Sequence, residues 1–177
     1  ESLFTGATDI FDTAPSEDWN TISAILDTMT TAWDTLQAGD LPEMLRAQMS
    51  DTLDALAGAV EARNPSETRQ AAIAVAQASL DLQLRHRPPA QIDLARFDLW
   101  ACQLLVDAAA TDASAVTGDV AVLELIQDRI AHTLNGSQVS DIDTQLADLR
   151  VAAEAEDLTA VANAAEQLRE TLKRIQE

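Results

Sequence analysis

The chain has 177 residues and sets 30 aspartates and glutamates against 11 lysines and arginines, a formal net charge of −19. A hydrophobic content of 47% is too high for a disordered acidic tail, so the charge rides on a folded body, and a chain of this length buries roughly 70% of its unfolded surface. One cysteine excludes an internal disulfide framework, no apolar run approaches the roughly 18 residues that span a membrane, and a surface this negative repels nucleic-acid phosphates and anionic lipid heads.

The chain opens on Glu1 rather than Met, which fits a processed product. Residues 1–15 carry Leu3, Phe4, Ile10 and Phe11 at no helical spacing, with Gly6 and Pro15 as breakers, and are expected to form an irregular N-terminal arm. From Ser16 onward the apolar period is helical. Trp19, Ile22, Leu26, Met29, Trp33 and Leu36 step by three and four along a first helix, with Ser16 as its N-cap. A second helix runs from Leu41 to about Arg63 on the row Leu45, Met49, Leu53, Leu56 and Val60. Asn64-Pro65-Ser66-Glu67 combines an N-cap, a proline at the first helical position and a glutamate three residues on, and opens a third helix to about His86.

Pro88-Pro89 break the chain and start a fourth helix that reaches about Ala110. A looser stretch, Thr111 to Gly118, precedes a fifth helix from Asp119 to Leu134, with Asn135-Gly136 as its C-terminal cap. Ser140 opens a sixth helix, and Asp157 caps a seventh on Leu158, Val161, Ala165, Leu168, Leu172 and Ile175. No strand pattern survives, so the fold class is all-α. Long helices over 16–110 and shorter ones over 119–176 predict an antiparallel up-and-down bundle of about seven helices, in one domain over 16–177.

An internal echo runs through this pattern. Residues 53–75 and 146–168 align without gaps at an offset of 93, matching Leu53 with Leu146, Leu56 with Leu149, Ala59 with Ala152 and Ala72 with Ala165. Duplicated helical hairpins produce such a match, and so does convergence on the same turn chemistry.

Candidate chemistry lies on the third and fourth predicted helices, which are apolar nearly all round except for one polar stripe each. Asp93, Arg96, Trp100, Gln103 and Asp107 step by 3, 4, 3, 4 on the fourth, and Gln70, Ala74, Gln77, Asp81 and Arg85 share a stripe on the third. Facing water, these form ordinary intrahelical pairs such as Asp93–Arg96. Facing a cleft, Asp81, Asp93, Arg96, Trp100, Gln103 and Asp107 line a site for a cation or a basic ligand, because buried carboxylates need compensation.

Specific cofactor motifs are missing. The sequence holds no Glu-x-x-His, no His-Glu-x-x-His, no Cys-x-x-Cys and no EF-hand loop, so no haem, zinc, di-iron or calcium signature names a cofactor. Cys102 sits among Phe97, Leu99, Leu105 and Val106 as an inert small hydrophobe, and His86 and His132 fall at helix ends. Met29, Met44 and Met49 and the pair Trp19 and Trp33 read as core residues; Trp100, on the polar stripe, is either partly buried at the edge of the core or, if exposed, a contact residue for a partner or ligand.

Helical hairpins turning at Ala38-Gly39-Asp40-Leu41 and Ala155-Glu156-Asp157-Leu158 in an acidic chain with one lysine resemble bacterial extracytoplasmic helical-bundle domains. The resemblance implies a periplasmic or otherwise extracytoplasmic location. The expectation is therefore a non-enzymatic acidic binding protein that holds a cation or basic partner through carboxylates, as a transport accessory. The alternatives are an adaptor that binds another protein through Trp100 or the arm, a carboxylate-pair hydrolase, and an acidic mimic of DNA.

Overall fold

Small residues carry the first helix. In the computed structural model, which describes residues 1–176, Ser2–Thr13 is helical (α1) where an irregular arm was expected. Its buried residues Leu3, Gly6, Ala7, Ile10 and Phe11 fall at i, i+3, i+4, i+7 and i+8, a full amphipathic stripe once glycine and alanine are counted. Gly6 does not break this helix. It lets α1 close on its neighbour, since a Cβ there would lie 2.5 Å from Met29 Cγ and 2.7 Å from its sulfur. Pro15 sits in the 3₁₀ turn Ala14–Ser16 that follows.

Seven further α-helices complete the described residues, with no strand among them: α2 (Trp19–Gln37), α3 (Glu43–Glu61), α4 (Pro65–Gln83), α5 (Pro89–Ala109), α6 (Ala113–Ile130), α7 (Gly136–Glu154) and α8 (Leu158–Gln176). The all-α class holds, with eight α-helices instead of about seven. The last three are not short: they run to 18, 19 and 19 residues, against 12 for α1. Four starts also move. α2 begins at Trp19 behind the cap Asp18, with Ser16 in the preceding 3₁₀ turn, and α3 begins at Glu43 rather than Leu41. Thr111 takes φ 60, Asp112 accepts the Ala115 N–H at 2.9 Å, and α6 begins at Ala113, so Asp119 lies inside the helix and not at its head. Asn135 is an N-cap, not a C-cap: its Oδ1 takes the N–H groups of Ser137 and Gln138, and the Gln138 side chain returns to the Asn135 N–H.

The chain divides into two compact units, Glu1–Arg87 and Pro88–Glu177, where one domain over 16–177 was expected. In the first, α1 packs on α2 and α4, and α3 packs on the same two. In the second, α5 packs on α6 and α8, and α7 packs on those two. Either unit is thus a closed ring of four helices around its own apolar interior. Ile10, Ile22, Met29, Met49 and Leu56 fill the first; Phe97, Leu104, Leu123, Ile142 and Leu168 fill the second. Burying a side chain of this size is worth about 1.5–3 kcal/mol.

The two rings match helix for helix. α3 and α4 map onto α7 and α8 at an offset of 93 with identical bounds, and α2 and α6 begin 94 apart. The turns agree as well. Arg63 and Glu156 both take φ 52, followed by the caps Asn64 and Asp157; Glu17 and Thr111 take φ 56 and 60, followed by the caps Asp18 and Asp112. Buried positions follow the same register, as in Ala7 with Ala101, Ile10 with Leu104, Met49 with Ile142, and Leu53 with Leu146. The sequence echo at 53–75 and 146–168 is the visible part of a repeat that takes in all four helices of each unit, with the first turns of α5 as an extension that α1 lacks.

Not every expected core residue is buried. On α2, Ile22, Met29 and Trp33 are; Trp19 and Leu26 are half-buried, and Leu36 is 43% exposed. Met44 is exposed at 76%, while Cys102 is buried and forms no disulfide.

Candidate functional site

The six residues expected to line a cleft are drawn from both units. Asp81 belongs to the first unit, is half-buried and accepts a hydrogen bond from Gln48 Nε2 at 3.1 Å. The other five belong to the second unit. Asp93 Oδ1 pairs with Arg129 of α6 at 2.8 Å and, more weakly, with Arg96 at 3.8 Å. Gln103 Nε2 donates to Asp107 Oδ2 at 3.0 Å, and Trp100 is half-buried between these pairs along α5. The carboxylates are thus matched by groups of their own unit. Among the described residues no cluster of three or more His, Cys, Asp or Glu side chains could hold a metal ion.

Two buried polar features escaped the stripe. Asp98 of α5 accepts from Arg169 Nε of α8 at 3.3 Å, and both side chains are nearly fully buried. Asp119 of α6 is only 6% exposed, and its Oδ2 takes no hydrogen bond. The side chain it meets is Asp107, another carboxyl, so their contact is a hydrogen bond only when one of the two carries a proton. Burial, that hydrogen bond and the charges of Asp107 and Asp112 push the Asp119 carboxyl up to about 8. The sequence placed Asp119 at a helix start, where a buried acid on an interior face looks like a cap.

Open surface with chemical character lies elsewhere, in a groove that both units repeat. In the first unit it runs between α2 and α3, has a volume of about 340 Å³, and is lined by Thr30, Trp33, Asp34, Ser50, Leu53, Asp54 and Ala57 among others. In the second it runs between α6 and α7 with about 360 Å³, and Glu124, Gln127, Asp128, Asp143, Leu146, Ala147 and Arg150 stand at the matching positions. The floor is built the same way twice. Trp33 Nε1 donates to Ser50 Oγ at 3.2 Å, and Gln127 Nε2, in the place of Trp33, donates to Asp143 Oδ1 at 2.6 Å, in the place of Ser50.

The grooves differ in what fills them. Arg150 lies across the second and reaches Glu124 Oε1 at 3.5 Å. The first has Ala57 at that position and no basic residue in its lining, and its Asp34 and Asp54 are exposed. Electrostatics around it are one-sided. Residues 1–45 hold nine acidic side chains and no lysine or arginine, and all nine are exposed. Asp9 on α1 shows the crowding, since partial burial and then the neighbouring Asp12 charge raise its carboxyl above the ordinary range.

No sequence pattern marks the groove, because its residues lie on two helices and belong to neither polar stripe. No protein-family model, no curated protein and no solved structure matches the chain.

Proposed function

We propose that the chain is a non-enzymatic acidic binding module whose first unit takes a cationic side chain of a basic protein partner into the groove between α2 and α3. The observation that carries this reading is the pair of matched grooves. In the second unit an arginine of the chain itself, Arg150, lies in the groove against Glu124, so the repeat displays the kind of group the groove accommodates. In the first unit the same groove lacks the arginine and has Thr30 in the place of Glu124, but it holds two carboxylates, Asp34, which matches Asp128, and Asp54, which stands where the second has Ala147. A guanidinium or ammonium from outside then fits where Arg150 fits, over a floor of Trp33 and Leu53. The surrounding charge of residues 1–45 steers a basic partner toward this face and makes the encounter salt-dependent.

Architecture supports a presenting role. We read each unit as an antiparallel up-and-down four-helix bundle, from its closed ring of contacts and short connections, with the groove opening along its loosest helix pair. The feature closest to enzyme chemistry is the Asp107–Asp119 pair, a carboxyl couple of the sort hydrolases use. Its burial argues against that role, because substrate has no route to a carboxyl that is 6% exposed.

The test is titration with an arginine-rich peptide, followed by Trp33 fluorescence and repeated at rising salt. Ala57→Arg copies Arg150 into the first groove and is expected to weaken binding about tenfold, as is the double change Asp34→Asn with Asp54→Asn, a loss of about 1.4 kcal/mol. Arg150→Ala is expected to create a second binding event. Unchanged affinity in the first two variants sinks the reading.

A further inference from the structure

A second cavity of the first unit lies at the end where α1 begins and α2 and α4 finish, with a volume of about 270 Å³. Its wall is aliphatic: Leu3 and Leu82 are buried, Leu41 is half-buried and Leu36 is 43% exposed at the mouth. The repeat explains why the space exists. The second unit puts Phe97 where the first has Leu3, and Leu172 where it has Ser79; both are fully buried, and Ile130, the counterpart of Leu36, is buried too. Two smaller side chains therefore leave open in the first unit what the second unit fills.

The rim is polar and cationic. Arg85, His86 and Arg87 form a run of basic residues at this end, in a chain with only 11 lysines and arginines, and His86 and Arg87 line the cavity. Arg85 is engaged, donating to the Asp40 carbonyl at 3.1 Å. Arg87 is held by a relay in which its Nη1 donates to Gln83 Oε1 at 2.8 Å and Gln83 Nε2 donates to Ser79 Oγ at 3.2 Å. That leaves guanidinium donors for a ligand. Glu1 supplies the one carboxylate of the lining and is exposed.

We propose that this cavity is a binding site for an aliphatic carboxylate of medium chain length, its tail against Leu3, Leu41 and Leu82 and its carboxylate on Arg87 with His86 beside it. Charge complementarity selects the head: an anion finds few cations elsewhere on this chain, and a guanidinium binds a carboxylate through paired donors. Size selects the tail, since the volume lies just below the roughly 300 Å³ at which pockets for drug-sized ligands begin. The site is separate from the α2–α3 groove, shares none of its residues, and stands or falls independently of the basic-partner reading.

The probe is octanoate, with octanol as the neutral control, read by calorimetry and by methyl NMR shifts of Leu3, Leu41 and Leu82. Octanoate is expected to bind and to shift those methyls. Ser79→Leu, which copies Leu172, is expected to lower its affinity about tenfold. Leu36→Asp, at an exposed position the fold does not depend on, sets a carboxylate at the mouth and is expected to do the same. Arg87→Gln is expected to weaken octanoate several-fold and leave octanol unchanged. Absence of octanoate binding at millimolar concentration, octanol binding as tightly as octanoate, or octanoate affinity that is unmoved by both Ser79→Leu and Leu36→Asp overturns the proposal.

Discussion

At four matched positions the two units disagree in kind. Phe4, Thr13, Ile25 and Ala76 of the first stand where the second has Asp98, Asp107, Asp119 and Arg169. The bounds of α3 and α4, the turns and much of the buried register are shared, so the fold does not require these ionisable groups. A buried ion pair is a weak source of stability beside apolar packing of similar volume, and a buried acid without a cation is a cost. The first unit, conversely, buries no carboxylate and carries its distinctive features outside, as an unfilled groove and an unfilled cavity. One scaffold has been varied from the inside in one copy and at the surface in the other.

The largest effect expected from this contrast is at Asp98 and Arg169. Arg169→Ala strands a buried carboxylate and should cost about 3–5 kcal/mol, measured by urea unfolding with Trp100, the sole tryptophan of the second unit, as the probe. Restoring the first unit's pattern with Asp98→Phe and Arg169→Ala together should return most of that loss. A double variant as unstable as the single one would break the comparison, by showing that the second unit depends on its charges.

Asp119 gives a dependence on pH. Its folded carboxyl sits at about 8, above its ordinary 3.8, so the folded state binds the proton more tightly than the unfolded chain. The contribution is fully present below about pH 4, is lost as pH rises toward 8, and changes little beyond. Unfolding of the second unit should therefore become easier between pH 4 and pH 8. Asp119→Ile, which copies Ile25, should flatten that slope and leave the acid end nearly unchanged. A wild-type slope that persists in the variant would assign the titration to other groups.

Gly6 sharpens the contrast from the side of the first unit. The matched residue in the second is Trp100, with Leu123 in place of Met29, so the second unit tolerates bulk where the first has none to spare. Gly6→Ala should destabilise by about 1 kcal/mol, the strain against Met29 exceeding the gain in helix propensity. Gly58→Ala on α3, whose Cβ meets nothing within 4 Å, should stabilise by nearly the same amount. Thermal melts of the two variants should move in opposite directions.

Much of the fold was legible in the sequence, and the failures have physical causes. Asn64 and Asp157 were readable as caps because a short polar side chain before a helix has one dominant use. α1 was hidden because its stripe runs through Gly6 and Ala7, residues that patterning by large apolar side chains passes over. The repeat showed only over α3–α4 and α7–α8 because α1–α2 match at an offset of 94, and one extra residue before the third helix ends any gapless alignment. The polar residues of α5 are spaced along one stripe, but their partners Arg129 and Asp119 lie on α6, and periodicity along one helix cannot say what faces it. Groove and cavity were illegible for the same reason: each is made where neighbouring helices leave space, and space has no sequence pattern.

The smallest expected effect tests the repeat itself. Arg63 and Glu156 hold φ 52 at the same step between two helices, and the surrounding bonds agree. Arg63 N–H donates to the Val60 carbonyl and Glu156 N–H to the Ala153 carbonyl, both at 3.0 Å, while Asn64 and Asp157 close the turn onto Ala59 and Ala152 at 3.2 and 3.0 Å. A left-handed residue with a side chain carries about 1–2 kcal/mol of strain, and glycine relieves it while losing about 0.5–1 kcal/mol to its freer unfolded state. Arg63→Gly and Glu156→Gly should therefore each stabilise by a few tenths to about 1 kcal/mol, and by the same amount in both units. The agreement matters more than the size. Two turns equal in dihedral angle and bonding but unequal in response would mean that the units share a backbone and not the energetics that hold it.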